Sequence, residues 1–213
     1  NPNLGPFNLT DDVGLGAGLG QLNDPTGVAL SPDGQTIYVV DSGNLRLQRY
    51  ASDGKFIGAW NGSTDQAGQF ATAFGQGPQS VTVDASGLIY VADTWNHRIV
   101  VFDQQGTMVR ELGQRGVQAD TMDSPDPNVD TGRFYGPRGV AVSNGEIYVT
   151  DTGNERVQVF ATDGTFLRTF GGTGTEPGKL KEPTGIAIGS DGNVYVGDSA
   201  NARISVFSKN GDF

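Results

Sequence analysis

Asp41-Ser-Gly-Asn44-Leu-Arg46 recurs, with changes only at its variable positions, as Asp93-Thr-Trp-Asn96-His97-Arg98, Asp151-Thr-Gly-Asn154-Glu-Arg156 and Asp198-Ser-Ala-Asn201-Ala-Arg203. Each copy follows an apolar run that carries a tyrosine and precedes a second apolar run. A motif recurring in constant surroundings marks a repeat architecture, and every other feature has to be read within that repeat.

Working outward, each copy opens on a lead proline, Pro25, Pro78, Pro137 or Pro183. A short run follows, such as Gly27-Val-Ala-Leu30, and then a Gly-bearing turn ending at Gly34, Gly87, Gly145 or Gly192. The next run places Tyr38, Tyr90, Tyr148 or Tyr195 three residues before the motif Asp. Beyond the motif, a third run ends in Tyr50, Phe102, Phe160 or Phe207, and a second turn closes at Gly54, Gly106, Gly164 or Gly211. A fourth run follows, as in Thr165-Phe-Leu-Arg-Thr-Phe170. These runs are short, rich in Val, Ile, Tyr, Phe and Thr, and bounded by Gly, Asp, Asn and Ser, which reads as strands joined by hairpins. Four antiparallel strands, a to d, in each repeat of roughly 40–50 residues are the sequence form of a propeller blade. The expected fold is all-β, with blades over 25–77, 78–136, 137–182 and 183–213 of a single domain, 1–213. Residues 1–24 read as strand d and the connection of a preceding or closing blade.

Spacing locates the variable surface. The motif Asp precedes the closing Gly by 13 residues in every copy (41 to 54, 93 to 106, 151 to 164, 198 to 211). From that Gly to the next lead Pro the distance is 24, 31 or 19 residues (54 to 78, 106 to 137, 164 to 183). Length therefore varies only in the d-to-a connections, which emerge on the same face as the b-to-c turns bearing the motif. Loops that vary on a constant scaffold are where binding usually resides.

The pattern Pro-x-Gly-Val-Ala-Val, Tyr-Val-x-Asp-x-x-Asn-x-Arg, Val-Phe and Asp-Gly resembles the NHL repeat, and Asn96-His97 supplies the first two letters of that name. The resemblance covers nearly the whole chain and implies a β-propeller. It leaves function open, because the family includes RNA binders, protein readers, sensor ectodomains and a few lyases. It implies about six blades, and four are visible. Gly5-Pro-Phe7 to Pro25 matches Gly164-Thr-Phe166 to Pro183, so the chain starts at a d strand and stops at Gly211-Asp-Phe213, where another would start. A four-blade ring closed by its first segment and a piece of a larger ring both fit; the second is favoured.

Composition narrows the partners. The chain has 213 residues, a net charge of −10 and no cysteine. Glycine, 33 residues, is about twice the ordinary ~7%, as many tight turns require. No Lys/Arg cluster remains to track phosphates once the motif arginines are set aside, so nucleic acid is disfavoured. Disulfides and thiolate metal sites are excluded. No apolar run approaches the ~18 residues of a membrane span, and no signal peptide is visible. The composition resembles that of bacterial cell-envelope NHL proteins, which implies an extracellular or envelope location.

Few residues are candidates for chemistry. The motif Asp and Arg read as scaffold: the Asp accepts backbone N–H groups in the b-to-c turn, the Asn or Gly supplies positive φ, and the Arg reaches a carboxylate or carbonyl nearby. His97 is the sole histidine and fills a repeat position otherwise held by Leu45, Glu155 and Ala202. It cannot alone build the several-histidine zinc site of the family's amidating lyase, and it reads as an exposed turn residue. Trp95 stands where other copies hold Gly43, Gly153 and Ala200, and either projects from the variable face as a binding anchor or packs beneath the neighbouring loop.

The longest connection, 114–136, carries Asp120, Asp123, Asp126 and Asp130. Their spacing matches no EF-hand loop, so they read either as a calcium site or as a solvated acidic loop. It ends in Arg133-Phe134-Tyr135-Gly-Pro-Arg138, whose aromatics either meet a ligand or staple the loop to its blade. A second long connection, Asn61 to Gly77, carries Phe70 and Phe74. Gly171-Gly-Thr-Gly174 precedes no helix and is no phosphate cradle.

The expected function is a non-catalytic binding scaffold for a protein, peptide or glycan, or for the remainder of a larger chain. Trp95, His97, Phe134, Tyr135 and Arg138 are the contact candidates; no catalytic residue and no cofactor beyond calcium is indicated. The alternative is a metal-dependent lyase or lactone hydrolase with an Asp/Asn-ligated divalent ion in the channel.

Overall fold

The computed structural model describes residues 15–60, 77–113 and 131–213. Asp120, Asp123, Asp126, Asp130, Phe70, Phe74 and residues 1–14 of the first segment lie outside the described residues.

Alternating β-branched and aromatic residues between Gly turns give the expected strands. Blade 1 comprises β1 (Pro25–Leu30), β2 (Thr36–Asp41), β3 (Arg46–Ala51) and β4 (Phe56–Trp60). Blade 2 comprises β5 (Ser80–Val83), β6 (Ile89–Asp93), β7 (Arg98–Phe102) and β8 (Met108–Leu112). Blade 3 comprises β9 (Gly139–Ser143), β10 (Glu146–Asp151), β11 (Arg156–Ala161) and β12 (Phe166–Gly171). Blade 4 comprises β13 (Pro183–Ile188), β14 (Val194–Asp198) and β15 (Arg203–Phe207). Each sheet is an antiparallel meander in chain order, four-stranded in blades 1–3 and three-stranded in blade 4 among the described residues.

Register is the same in every blade. The motif Asp pairs across to the motif Arg, Asp41 with Arg46, Asp93 with Arg98, Asp151 with Arg156 and Asp198 with Arg203. The c–d pairing slips by one residue just before the aromatic, between Arg49 and Tyr50, Val101 and Phe102, and Val159 and Phe160. Such a bulge strengthens local twist at the outer edge of a blade. The connections repeat as well: the isolated bridge Leu15–Leu22 before blade 1 matches Thr173–Leu180 before blade 4.

The b-to-c turns correct one expectation. Each is a 3-10 turn, Ser42–Asn44, Thr94–Asn96, Thr152–Asn154 or Ser199–Asn201. The left-handed residue is neither the motif Asn nor a Gly but the one after the Asn: Leu45, His97, Glu155 and Ala202 have φ of 56°, 57°, 54° and 50°. A 3-10 turn must reverse sharply to enter the next strand, and this C-cap residue makes the reversal. Its N–H returns to the carbonyl of the first turn residue, for example Leu45 to Ser42 at 3.1 Å.

The inner strands pack in sequence, β1 beside β5, β5 beside β9 and β9 beside β13. Three apolar seams hold the blades together. Tyr38, Val40 and Leu47 of blade 1 meet Val81, Val91 and Phe102 of blade 2. Tyr90, Ile99 and Val101 then meet Val140, Val149 and Phe160 of blade 3, and Tyr148, Val157 and Val159 meet Val194, Val196 and Phe207 of blade 4. Where the four inner strands face one another they enclose a cavity of about 430 Å³, lined by residues such as Val28, Val81, Thr82, Val142, Ser143 and Ile188.

Candidate functional site

The motif residues form a clamp on the chain entering their own blade. Asp41, Asp93, Asp151 and Asp198 are fully buried. Asp41 accepts the Asn23 N–H at 2.6 Å, Asp151 the Tyr135 N–H at 2.7 Å and Asp198 the Lys181 N–H at 2.7 Å. The same carboxylates accept the motif Asn and the motif Arg Nε, the latter at 2.6, 2.9, 2.9 and 2.8 Å in blades 1 to 4. The guanidiniums then donate to carbonyls of the connection: Arg46 to Ala17, Gly18 and Gln21, and Arg203 to Thr175, Glu176 and Lys179. A connection that lacks its own ladder obtains hydrogen bonds this way, as buried backbone must. Asp and Arg are thus engaged in shaping the variable face rather than offered to a ligand.

Two members of this clamp do not belong to the motif. Gln48 and Gln158 are buried two residues past the motif Arg. Each accepts a connection N–H, from Gly20 at 3.0 Å and Gly132 at 2.9 Å. Each also donates to the motif Asp at 2.8 Å. Blade 2 has Val100 at this position, and Arg98 there reaches Glu111 at 2.7 Å. The repeat offered a signal, since a polar residue between buried apolar neighbours in a central strand requires partners.

On the rim above this clamp, two side chains from different blades meet. The Tyr135 ring stacks on His97 of blade 2 with 5.2 Å between centroids and 10° between planes. The Gly136 N–H donates to His97 Nδ1 at 2.9 Å. On the blade 3 side, Tyr135 is held by its N–H to Asp151, and its carbonyl accepts the Gly153 N–H at 2.8 Å. A β-carbon at Gly153 would fall 1.9 Å from Tyr135 Cδ1, so only glycine admits the ring there. Tyr135 nevertheless remains 42% exposed.

The NHL repeat family model matches residues 134–160 and 180–207, and the SMP-30/gluconolactonase/LRE-like region matches 17–114. Protein brain tumor of Drosophila melanogaster is 33% identical over 125 residues, 57% of this chain and 10% of that protein. NHL repeat-containing protein 2 of Gallus gallus is 32% identical over 100 residues, 46% of this chain and 13% of that protein. The chain belongs to the NHL-repeat β-propeller family. A streptogramin B lyase structure superposes with a TM-score of 0.62 at 18% identity, covering 88% of this chain and 52% of that one, a likeness of fold. This NHL chain therefore spans about a tenth of the curated relatives it matches and about half of the solved lyase chain.

The NHL scaffold brings some of the sequence candidates together and removes others. His97 and Tyr135 join in one platform. Phe134, expected as a contact, is 1% exposed and packs edge-on to Phe160 at 5.5 Å in the seam between blades 2 and 3. The repeat held the signal, because Phe134, Leu22 and Leu180 all stand three residues before a lead Pro and Leu180 is also fully buried. Trp95 is half-buried with its indole nitrogen shielded from solvent, so the turn does not thrust it outward as a free anchor. Arg138 is half-buried at the start of β9, its N–H donating to the Thr150 carbonyl at 3.2 Å.

Electrostatics sets apart two motif carboxylates of identical pattern. Burial pushes the Asp151 carboxyl up, against the pull of Arg156 and the Tyr135 N–H. At Asp198 burial acts the same way, but Asn201, the Lys181 N–H, Arg203 and Ser205 outweigh it and the carboxyl is lowered. Among the described residues no group of three His, Cys, Asp or Glu side chains could hold a metal ion.

Proposed function

We propose that this NHL propeller is a non-catalytic binding scaffold that presents the Tyr135–His97 platform to a protein or peptide. The observation that carries the reading is an exposed aromatic ring fixed from three sides on the face where all connection length varies. A ring ordered before binding loses little rotamer freedom on contact, which is what an interface anchor requires. The membership of curated NHL proteins in the same family supports a binding role over a reaction. The test is panning of a displayed peptide library on the full chain, with Tyr135→Ala as the counter-target. Enriched peptides are expected to bind at least ~10-fold more weakly to the variant, about 1.4 kcal/mol, at an unchanged unfolding midpoint. Peptides that bind both proteins equally would overturn the reading.

A second reading, metal-dependent lactone hydrolysis or lyase chemistry, draws on the gluconolactonase-type match over 17–114. The channel lining counts against it, because its apolar and hydroxyl side chains supply no carboxylate. Turnover of a lactone panel dependent on added Ca²⁺ or Mg²⁺ would revive it.

A further inference from the structure

The three seams follow one rule, and the same rule is written on two faces that no described residue covers. Each seam takes the motif Tyr face of one blade and the opposite face of the next. On the Tyr face, Tyr38, Tyr90 and Tyr148 are 3%, 0% and 3% exposed, and Leu47, Ile99 and Val157 are all at 0%. The equivalent residues of blade 4 are Tyr195 and Ile204, at 36% and 66%, with Val206 beside them at 38%. On the opposite face, Val81 and Val140 are 6% and 4% exposed, whereas their blade 1 equivalent Val28 is 67% exposed and Leu30 beside it 58%. Blade 4 thus displays one half of a seam and blade 1 the other half. β13 is not packed on β1 as the inner strands of neighbouring blades are packed.

A polar latch repeats with the seams. The first hydroxyl of the b-to-c turn donates to the lead-proline carbonyl of the next blade, Thr94 to Pro137 at 2.8 Å and Thr152 to Pro183 at 2.7 Å. Ser199 occupies this position in blade 4 and bonds instead to Thr184 of its own blade at 2.7 Å. Pro25 holds the matching acceptor position in blade 1. A second latch joins the lower ends, where Arg49, Arg110 and Arg168 donate to the carbonyls of Gln104, Thr162 and Lys209. Blade 4 has Val206 in place of Arg49, so a seam formed there is apolar at its base.

We propose that the outer faces of blades 4 and 1 are the two halves of one blade–blade seam, and that copies of this chain dock head to tail through them. Ile204 and Val206 of one copy cover Val28 and Leu30 of the next, and Ser199 reaches the neighbour's Pro25 carbonyl. The occupant is a second copy because each face is the mate of the other under a rule that the molecule obeys three times internally. The contact is heterologous, so it produces a closed ring if the rotation closes and an open row of copies if it does not.

Light scattering of the full chain across a concentration series tests this, together with Val28→Glu and Ile204→Glu. Both residues are mostly exposed, so both variants are expected to keep the wild-type unfolding midpoint. Wild type is expected to associate into dimers or longer rows, and each variant alone to run at the monomer mass. An equimolar mixture of the two is expected to form a 1:1 dimer and nothing larger, because one intact seam remains between the two proteins. Wild type that stays monomeric throughout, variants that associate like wild type, or a mixture that does not pair would each overturn the proposal.

Discussion

Ile99 and Ile204 stand at the same position of the same repeat, two strands into blades 2 and 4, yet one is fully buried and the other is 66% exposed. Tyr148 and Tyr195 differ in the same way, at 3% and 36%. Local sequence builds the face, and the neighbouring blade decides whether that face is core. Stability in a repeat array is accordingly a sum of blade and interface contributions. Interior and outer copies of one residue should therefore respond differently to one substitution.

The largest effect is expected where the clamp and the core coincide. Asp151→Ala leaves the buried Arg156 guanidinium without its carboxylate and frees the Tyr135 N–H; a loss of about 3–5 kcal/mol in denaturant unfolding is expected. Ile99→Ala should cost about 2–5 kcal/mol by the same measurement. Ile204→Ala, the outer copy, should stay within about 0.5 kcal/mol. Equal costs at the two isoleucines would erase the distinction between inner and outer faces.

Gly153→Ala sharpens the comparison on the rim. The added methyl displaces Tyr135 from its place against blade 3, and about 1–3 kcal/mol of destabilisation is expected from overpacking. Loss of the His97–Tyr135 stack would show as shifted ring resonances by NMR. Gly185→Ala is the control, since a β-carbon there meets no neighbour within 4 Å.

The smallest effect lies at the lower end of the seam between blades 3 and 4. Arg168 holds the Glu146 carboxyl at about 2, below its ordinary 4.5, despite partial burial. A carboxyl whose folded pKa is depressed stabilises the fold above its unfolded value and loses that contribution as pH falls toward the folded one. Stability should therefore decline between pH 4.5 and 2 by about 1–2 kcal/mol more in wild type than in Glu146→Gln. Parallel pH profiles for the two proteins would remove Glu146 as the cause.

Much of the fold was legible in the sequence because strand period and turn chemistry agree in every copy. The lead prolines, the closing glycines and the Asp/Arg pair together placed the blades and put the variable connections on one face. What escaped the reading depends on three-dimensional neighbours. Gln48 and Gln158 look like ordinary strand polars until the connection they bind lies over them. Phe134 and Tyr135 are adjacent aromatics in a loop, and only the seam below separates the buried one from the exposed one. The left-handed residue escaped because Leu45, His97, Glu155 and Ala202 share no chemistry, only a place in the turn.

The central claim is that the motif serves the scaffold by holding the entering connections. Native-state hydrogen exchange at the Asn23, Tyr135 and Lys181 amides, each donated to a motif carboxylate, tests it most directly. Protection comparable to that of the β10 and β11 amides is the expected result. Exchange at the rate of an unstructured loop would show that the carboxylates are not engaged, and the Asp/Arg ring would have to be reconsidered as a site open to ligands.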